Sequence, residues 1–583
     1  MSDESVGVRP PSWGSRRHLV ELARSLVPQR AETAFAAAIV LLFVVYAWRL
    51  EGTFENIVYT LGVSLTLAAL VALATRRVLF ASAVVGALAV GVVLASSAKH
   101  AIMNMVVHAY DLFFYLSSWS TIHFLATEYP GLVAKAATLA VALAGLGWLV
   151  WRFDRTRVSR KSALAVGLVG VLLGLYGWAG KGERRHMQFY FQNLYLSSFY
   201  ASWGETVGTL WHGTMLEAGP RIGSSKLSLP ASCVAVEKPP HIVLIHQESL
   251  VQPSLFPTLD YDKSVDSLFR GQDGRIQKMR VETYGGASWL TEFSLLAGVS
   301  TQSFGGMRQF VQTFMVNKLA DTLPQRLAQC GYRNVVFYPM LRNFVSNDKF
   351  YASVGLNEIY DLKAQGAAST QERDRVYFAN ALKEMERHIA SSDKPLFTYI
   401  QTMAAHWPYD WTFEPDVKVA GGGPGTHPEM HEYLRRVSMA KLDYDELVAG
   451  LKKKFPGERI LIVSYGDHQP AATRTLIGLK HESDIEDVVI DDRTPGFITY
   501  FAMDGINYQV PDVTSDVAPS EAIDVPYLGA LIQAAARLPM SDANAERLRL
   551  MKLCRGRYFN CVNRQEILAF HRRLIESGII TAR

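Results

Sequence analysis

Cysteine is scarce in this sequence: Cys233, Cys330, Cys554 and Cys561 are the only four among 583 residues. No pair among them has the spacing of a zinc module, so that class is set aside. All four fall in the part of the chain placed outside the membrane below, and an even number there favours disulfides over four buried thiols. Cys554 and Cys561 are close enough to close a small loop, which leaves Cys233 with Cys330. Excess charge is also small, +5, and much of it is arginine beside apolar segments, so no nucleic-acid partner is expected. The polar, basic leading segment lacks an apolar stretch with a small-residue exit, so no cleavable signal peptide is expected. Internal repeats are absent.

Hydrophobicity is present but unevenly spread. Five segments are apolar enough to cross a bilayer, which takes about 20 residues: Thr33–Trp48, Asn56–Thr75, Leu79–Ala98, Leu132–Trp151 and Ser162–Gly180. Arg16, Arg17, Arg24 and Arg30 precede the first, Arg76 and Arg77 separate the second and third, and Arg152, Arg155, Arg157, Arg160 and Lys161 separate the last two. With five spans these basic segments share one side, which the positive-inside rule makes cytoplasmic. Everything after Gly180 is then extracytoplasmic. The expected organisation is a cytoplasmic tail (1–31), a five-span domain (32–180), an amphipathic connector (181–238) and an extracytoplasmic catalytic domain (239–583), in a multi-pass protein of the inner membrane facing the periplasm. Two aromatic stretches, Lys99–Pro130 and residues 186–211, suit the outer leaflet or packing among the spans.

From Pro239 onward strand and helix patterns alternate. Strands are predicted at Ile242–His246, Met279–Thr283, Asn334–Phe337, Leu396–Gln401, Arg459–Ser464 and Gly496–Phe501. Helical patterns fall at Ser264–Phe269, Met315–Cys330, Glu372–Ala390 and His431–Lys454. This alternation predicts an α/β fold with a mostly parallel sheet covered by helices. Gly421–Gly425 reads as a flexible rim following His406-Trp-Pro-Tyr-Asp410.

Chemistry-bearing residues sit where such folds place them. Glu248 ends the first strand, and Asp467-His468 follow the strand ending at Ser464. Ser288 lies in Tyr284-Gly-Gly-Ala-Ser-Trp-Leu-Thr-Glu-Phe293, where glycines admit close backbone approach and the hydroxyl opens a helix. Two carboxylates, an imidazole and a hydroxyl make a donor set suited to one Mn2+ or Zn2+. A cation beside the serine would lower its hydroxyl pKa and make it a nucleophile.

The order Glu…Ser-x-x-x-Glu-Phe…His-x-Pro-Tyr…Gly-Asp-His resembles the lipoteichoic acid synthase and phosphoglycerol transferase branch of the alkaline phosphatase/sulfatase superfamily. The resemblance covers most of the chain and is specific at these motifs. It implies that Glu248, Ser288, Asp467 and His468 ligate one metal, that Ser288, where the family usually has threonine, is the nucleophile, and that His406 contacts the phosphate or protonates the leaving group. The implied reaction moves a phosphoglycerol headgroup from a phospholipid donor to the hydroxyl of a glycan or glycolipid.

Departures from the pattern concern the headgroup. Tyr338, Val345 and Asn347 stand where the family has a histidine, a tryptophan and an arginine, leaving Arg308 or Arg342 as phosphate clamps. Phosphoethanolamine transfer to lipid A or another glycan is the alternative, with Tyr338, Trp407 and Asp410 around the ammonium. Sulfate-ester hydrolysis requires x-Pro-x-Arg after the nucleophile, whereas Ser288 is followed by Trp289-Leu-Thr-Glu292, which disfavours it. A phosphodiesterase-like hydrolase stays as a further alternative. A non-enzymatic binding module would have no reason to gather Glu, Ser, Asp and His at strand ends.

Overall fold

The structure, a computed structural model, describes residues 29–103, 105–116, 119–180, 195–212, 215–220, 226–229, 233, 237–344, 347–417, 427–480 and 495–581. Val345, the 421–425 glycine run and, in the expected 181–238 connector, residues 181–194, 213–214, 221–225, 230–232 and 234–236 lie outside these residues. The chain divides into two compact units, residues 1–112 with 125–206 and residues 113–124 with 207–583.

The first unit is helical because its sequence offers long charge-free runs of Ala, Val and Leu. Helices span Gln29–Leu50, Phe54–Thr75, Val78–Met103, Pro130–Phe153 and Arg160–Gly180, one for each expected span. Four are long and apolar enough to cross a membrane, and in the first the apolar stretch is the shorter Ala37–Leu50. Helices Phe54–Thr75 and Arg160–Gly180 meet backbone to backbone. A Cβ at Gly62 would lie 2.3 Å from the Gly174 nitrogen, and one at Gly177 would lie 2.5 Å from the Tyr59 nitrogen, so only glycine permits this approach. A sixth helix, Tyr195–His212, begins at the buried Glu51, whose carboxylate accepts from the Leu196 (3.1 Å) and Ser197 (3.2 Å) amides. Its Leu196, Phe199, Tyr200 and Ala201 pack with Tyr59, Ala89 and Val92, whereas Trp203 and Val207 are exposed; residues 186–194 of this aromatic stretch lie outside the described residues.

The second unit holds one eight-stranded sheet: β1 (His241–Gln247), β2 (Gln277–Arg280), β3 (Arg333–Phe337), β4 (Glu358–Tyr360), β5 (Leu396–Gln401), β6 (Ile460–Gly466), β7 (Ile498–Ile506) and β8 (Ile523–Asp524). The order is β4-β3-β5-β1-β6-β7-β2-β8. Only the β6–β7 and β2–β7 pairings are antiparallel, so the sheet is mixed with β7 as the one reversed strand. Strands β1, β5 and β6 are buried along their whole length, as near-continuous apolar runs in a covered sheet must be. Phe378 and Met385 from helix Asp374–Ser391, with Tyr433 and Leu447 from helix Pro428–Lys454, join Val243, Ile245 and Ile462 in the core on one face.

Two local expectations are corrected. The helix predicted over Met315–Cys330 is only Leu323–Gln329, because Asn317 (φ 59°) and Asp321 (φ 62°) break the run and a Thr322–Gln325 capping box starts the helix. The predicted Ser264–Phe269 helix is a 3-10 segment, Lys263–Phe269. Both disulfides, Cys233–Cys330 and Cys554–Cys561, are formed.

Candidate active site

Sheet register builds the site. In the parallel β1–β6 pair Gln247 stands opposite Gly466, so the next residues, Glu248 and Asp467, leave the carboxyl edge side by side. Ser249 turns left-handed there (φ 58°), and its amide donates to Asp467 Oδ1 at 2.8 Å. The His468 amide donates to the same oxygen at 2.8 Å. On the other side of β1, Thr402, which follows β5, accepts from the Glu248 amide at 3.1 Å.

Ser288 enters from the end of β2. Gly285 (φ 71°), Gly286 (φ 157°) and Ala287 (φ 61°) carry positive φ in succession, and Ala287 bears the strain that left-handed backbone imposes on a residue with a Cβ. Helix Ser288–Ala297 starts immediately after this bend, which places the Ser288 hydroxyl at a helix amino terminus where unpaired amides favour an anion. Its Oγ donates to Glu248 Oε2 at 2.9 Å and lies 3.4 Å from His468 Nε2. Thr291 Oγ1 donates to the Asp467 carbonyl at 2.6 Å, and the Gly285 amide to that of Gln469 at 2.9 Å. These bonds tie the serine helix to the Asp467 strand end.

His468 Nδ1 lies 3.0 Å from the Gln469 carbonyl. A proton assigned there leaves Nε2 facing Glu248 Oε1 at 3.2 Å and Asp467 Oδ2 at 3.3 Å. The side chain that sequence reasoning missed is His246. Its Nε2 is 3.1 Å from Asp467 Oδ2 and 3.9 Å from Glu248 Oε2, while Nδ1 meets the Tyr465 hydroxyl at 2.9 Å and that of Tyr399 at 3.2 Å. A signal existed: His246 is two residues before Glu248, and alternate strand residues share a face.

Burial disfavours a charged His468, yet Asp467 and Glu248 outweigh it and push its pKa up to about 9. His246 is also raised, with Asp467 overcoming burial. Burial would raise Glu248, but His468 holds its carboxyl well below the usual range, with His406 and His246 adding. The raised imidazoles and the lowered carboxyl are two sides of one pairing, in which buried carboxylates and imidazoliums stabilise each other. Asp467 Oδ2 is buried without a hydrogen bond, and donor atoms of His246, Glu248 and Asp467 lie within 4.8 Å of one another. Carboxylate, imidazole and hydroxyl donors gathered in one buried cluster fit a divalent cation of the Mn2+ or Zn2+ type.

His406 follows β5 and is half-buried. Its carbonyl accepts from Gln371 Nε2 at 2.9 Å and Arg436 Nη1 at 2.6 Å. Arg436, fully buried, also donates to the Pro408 (2.8 Å) and Trp411 (3.2 Å) carbonyls and to Glu432 (2.7 Å). One guanidinium therefore shapes the whole His406 loop. Tyr338 is buried and its hydroxyl accepts from Asn347 Nδ2 at 2.7 Å; burial, then the Glu292 charge, push its pKa far above the usual range. Arg308 is buried in the Thr301–Phe310 segment, whereas Arg342, Trp407 and Asp410 are exposed. Glu292, the acid of the Ser-x-x-x-Glu-Phe motif, is a buried anchor for Gln312 (2.6 Å), Tyr351 (2.7 Å) and Gln401 (2.6 Å) under the serine helix.

Residues 279–528, which include Ser288, His406, Asp467 and His468, match the Sulfatase family model. An uncharacterized protein of Haemophilus influenzae is 24% identical over 250 residues, 40% of this chain and 45% of its own length, so the match spans less than half of that relative. Among solved structures, a Streptococcus pyogenes phosphoglycerol transferase in complex with sn-glycerol-1-phosphate is 16% identical, with a TM-score of 0.45 over 59% of this chain and 87% of its own. The lipooligosaccharide phosphoethanolamine transferase A of Neisseria meningitidis is 12% identical, with a TM-score of 0.46 over 89% of this chain and 99% of its own. The family match, lying over the strand ends that carry Ser288, His406, Asp467 and His468, identifies residues 279–528 as a sulfatase/alkaline phosphatase superfamily domain.

Proposed function

We propose that the protein is a multi-pass, membrane-anchored phosphotransferase of the cell envelope that works through a Ser288-linked intermediate. The observation that carries this reading is the Ser288 hydroxyl, set at a helix amino terminus and hydrogen-bonded to Glu248 inside a buried acid–imidazole cluster. Glu248, Ser288, Asp467 and His468 would hold one divalent cation, with His246 beside them. The cation would supply charge neutralisation at the phosphoryl oxygens and a more acidic serine.

Ser288 Oγ attacks the phosphorus of a phospholipid headgroup ester, forming an Oγ–P bond while the P–O bond to diacylglycerol breaks. The serine proton faces Glu248 Oε2 at 2.9 Å, and that oxygen takes it. His406 protonates the departing alkoxide. A glycan or glycolipid hydroxyl then attacks the same phosphorus and gives its proton to the now unprotonated His406, while the displaced Oγ takes back the proton held by Glu248. Amides at the start of helix Ser288–Ala297 favour the anionic phosphate in both steps. The membrane helices place the reaction where donor lipid is concentrated.

Phosphoglycerol is the headgroup of this reading. Phosphoethanolamine calls for an ammonium cage, and the buried Tyr338 hydroxyl already serves Asn347, which leaves only the exposed Trp407 and Asp410 to form one. The test incubates the protein with head-labelled phosphatidylglycerol and phosphatidylethanolamine in turn. Diacylglycerol release from the first, with headgroup mass on the Ser288 peptide and none in Ser288→Ala, supports the reading. Release from the second alone replaces the headgroup, and undiminished turnover by Ser288→Ala removes the mechanism.

A further inference from the structure

Residues 113–124 lie in sequence between the membrane helices Val78–Met103 and Pro130–Phe153, yet they cluster with the catalytic unit. The segment Phe-Phe-Tyr-Leu-Ser-Ser-Trp-Ser-Thr-Ile-His-Phe contains no Asp, Glu, Lys or Arg. Its inward side is aromatic: the Phe114 ring lies 5.9 Å from Phe310 and 5.8 Å from Phe314, and Tyr115 lies 5.7 Å from Phe310. From there contact runs to the nucleophile by two routes. Phe314 meets Phe304 at 5.6 Å, which meets Phe293 of the serine helix at 5.6 Å. Beside Phe310, the Gln309 carbonyl accepts from Trp289 Nε1 at 3.0 Å, and Trp289 is the neighbour of Ser288.

Its other side is apolar and open. Phe113 is 48% exposed, Leu116 50%, Trp119 78% and Ile122 40%. A water-facing surface would not hold four large apolar side chains in a stretch with no charge. Trp beside Leu, Ile and Phe is the mixture that inserts at the boundary of headgroups and acyl chains. The chain enters the segment from one membrane helix and leaves it into the next, so covalent continuity keeps it close to lipid.

We propose that Phe113–Phe124 is the lipid-docking element of the catalytic unit. Phe113, Leu116, Trp119 and Ile122 enter the bilayer interface, and the Phe114–Phe310 and Tyr115–Phe310 contacts tie the segment to the rest of the catalytic unit. This rests on the phospholipid-donor reading above and adds the surface that recognises the lipid phase, as distinct from the headgroup.

Two measurements on the full-length protein in phosphatidylglycerol nanodiscs test it. The first attaches an environment-sensitive fluorophore to Leu116→Cys and, as control, to Val562→Cys, which is exposed on the same unit. Spin-labelled lipids should quench the first and not the second; equal quenching, or none at Leu116, overturns the docking. The second compares wild type with the Leu116→Ser/Trp119→Ser variant on bilayer lipid and on a water-soluble nitrophenyl phosphodiester. The apparent KM for bilayer lipid should rise about tenfold, because two apolar anchors are lost, with kcat/KM for the soluble diester unchanged. Equal loss on both substrates, or no change on either, overturns it. If wild type cleaves neither substrate, the phosphotransferase reading fails, while the quenching still decides the docking.

Discussion

Ser288 Oγ and Glu248 Oε2 are 40 residues apart in sequence and 2.9 Å apart in space, joined by a hydrogen bond in which the serine donates. In the proposed reaction that bond sets the direction in which Ser288 loses its proton. Ser288→Ala should lower turnover by at least about a thousandfold, as loss of a covalent nucleophile does. Ser288→Thr keeps the hydroxyl and should retain measurable turnover. Single-turnover assays with labelled lipid, with circular dichroism to confirm folding, check both.

His246 carries the second expectation. Its Nε2 stands 3.1 Å from Asp467 Oδ2, so His246→Phe should weaken divalent metal binding by about 10- to 100-fold, the usual cost of removing a supporting group at a metal site. Asp467→Asn should do the same or worse. Elemental analysis after dialysis against graded chelator measures it, and full metal retention in both variants would show that the cation site lies elsewhere.

Arg436→Lys tests the His406 loop. A lysine ammonium cannot reproduce a planar fork that reaches the His406, Pro408 and Trp411 carbonyls and Glu432 together. The loop should loosen and kcat should fall about 10- to 100-fold, as displacement of a catalytic group by roughly an ångström does, with KM for a soluble diester little changed.

Asp374 gives the pH expectation. It is buried, and Oδ1 accepts from the Met403 (3.2 Å) and Ala404 (3.0 Å) amides that lead into the His406 loop. Burial, and then the Asp443 charge, raise its carboxyl from 3.8 to about 7. A folded pKa above the unfolded one contributes stability that is complete below about pH 4 and is lost as pH rises through about 7. Asp374→Asn keeps an oxygen for the two amides and removes that loss. Thermal melts should place the variant's Tm higher relative to wild type at pH 8 than at pH 5, and a difference independent of pH would refute the assignment.

Much of the catalytic fold was legible because its strands are buried runs with sharp ends. Leu396–Gln401 was read at its observed limits, and β1 within a residue at either end. Strands β4 and β8, at three and two residues, are too short to carry a periodic signal and owe their pairing to neighbours. Apolar spacing runs on through Met315–Cys330, but the helix limit there is set by the Thr-Leu-Pro-Gln cap that starts the helix at Leu323. At the site, Glu248, Ser288, Asp467 and His468 were legible as polar residues at element ends, and the structure brings them together. His246 was not, since inside a buried apolar strand one imidazole reads as a tolerated interruption. Arg436 sits in mid-helix in Pro428–Lys454, and nothing local marks it as the partner of a loop some 25 to 30 residues upstream.

Arg436 holds the His406 loop by carbonyl oxygens, atoms that every residue type supplies. The outward side chains of that loop, Trp407 and Asp410, therefore carry no share of the holding. They form an exchangeable rim on a fixed frame: replacing them changes what the loop presents to solvent while His406 stays at its post. Swapping these side chains, with the arginine left in place, alters the rim without dismantling the loop.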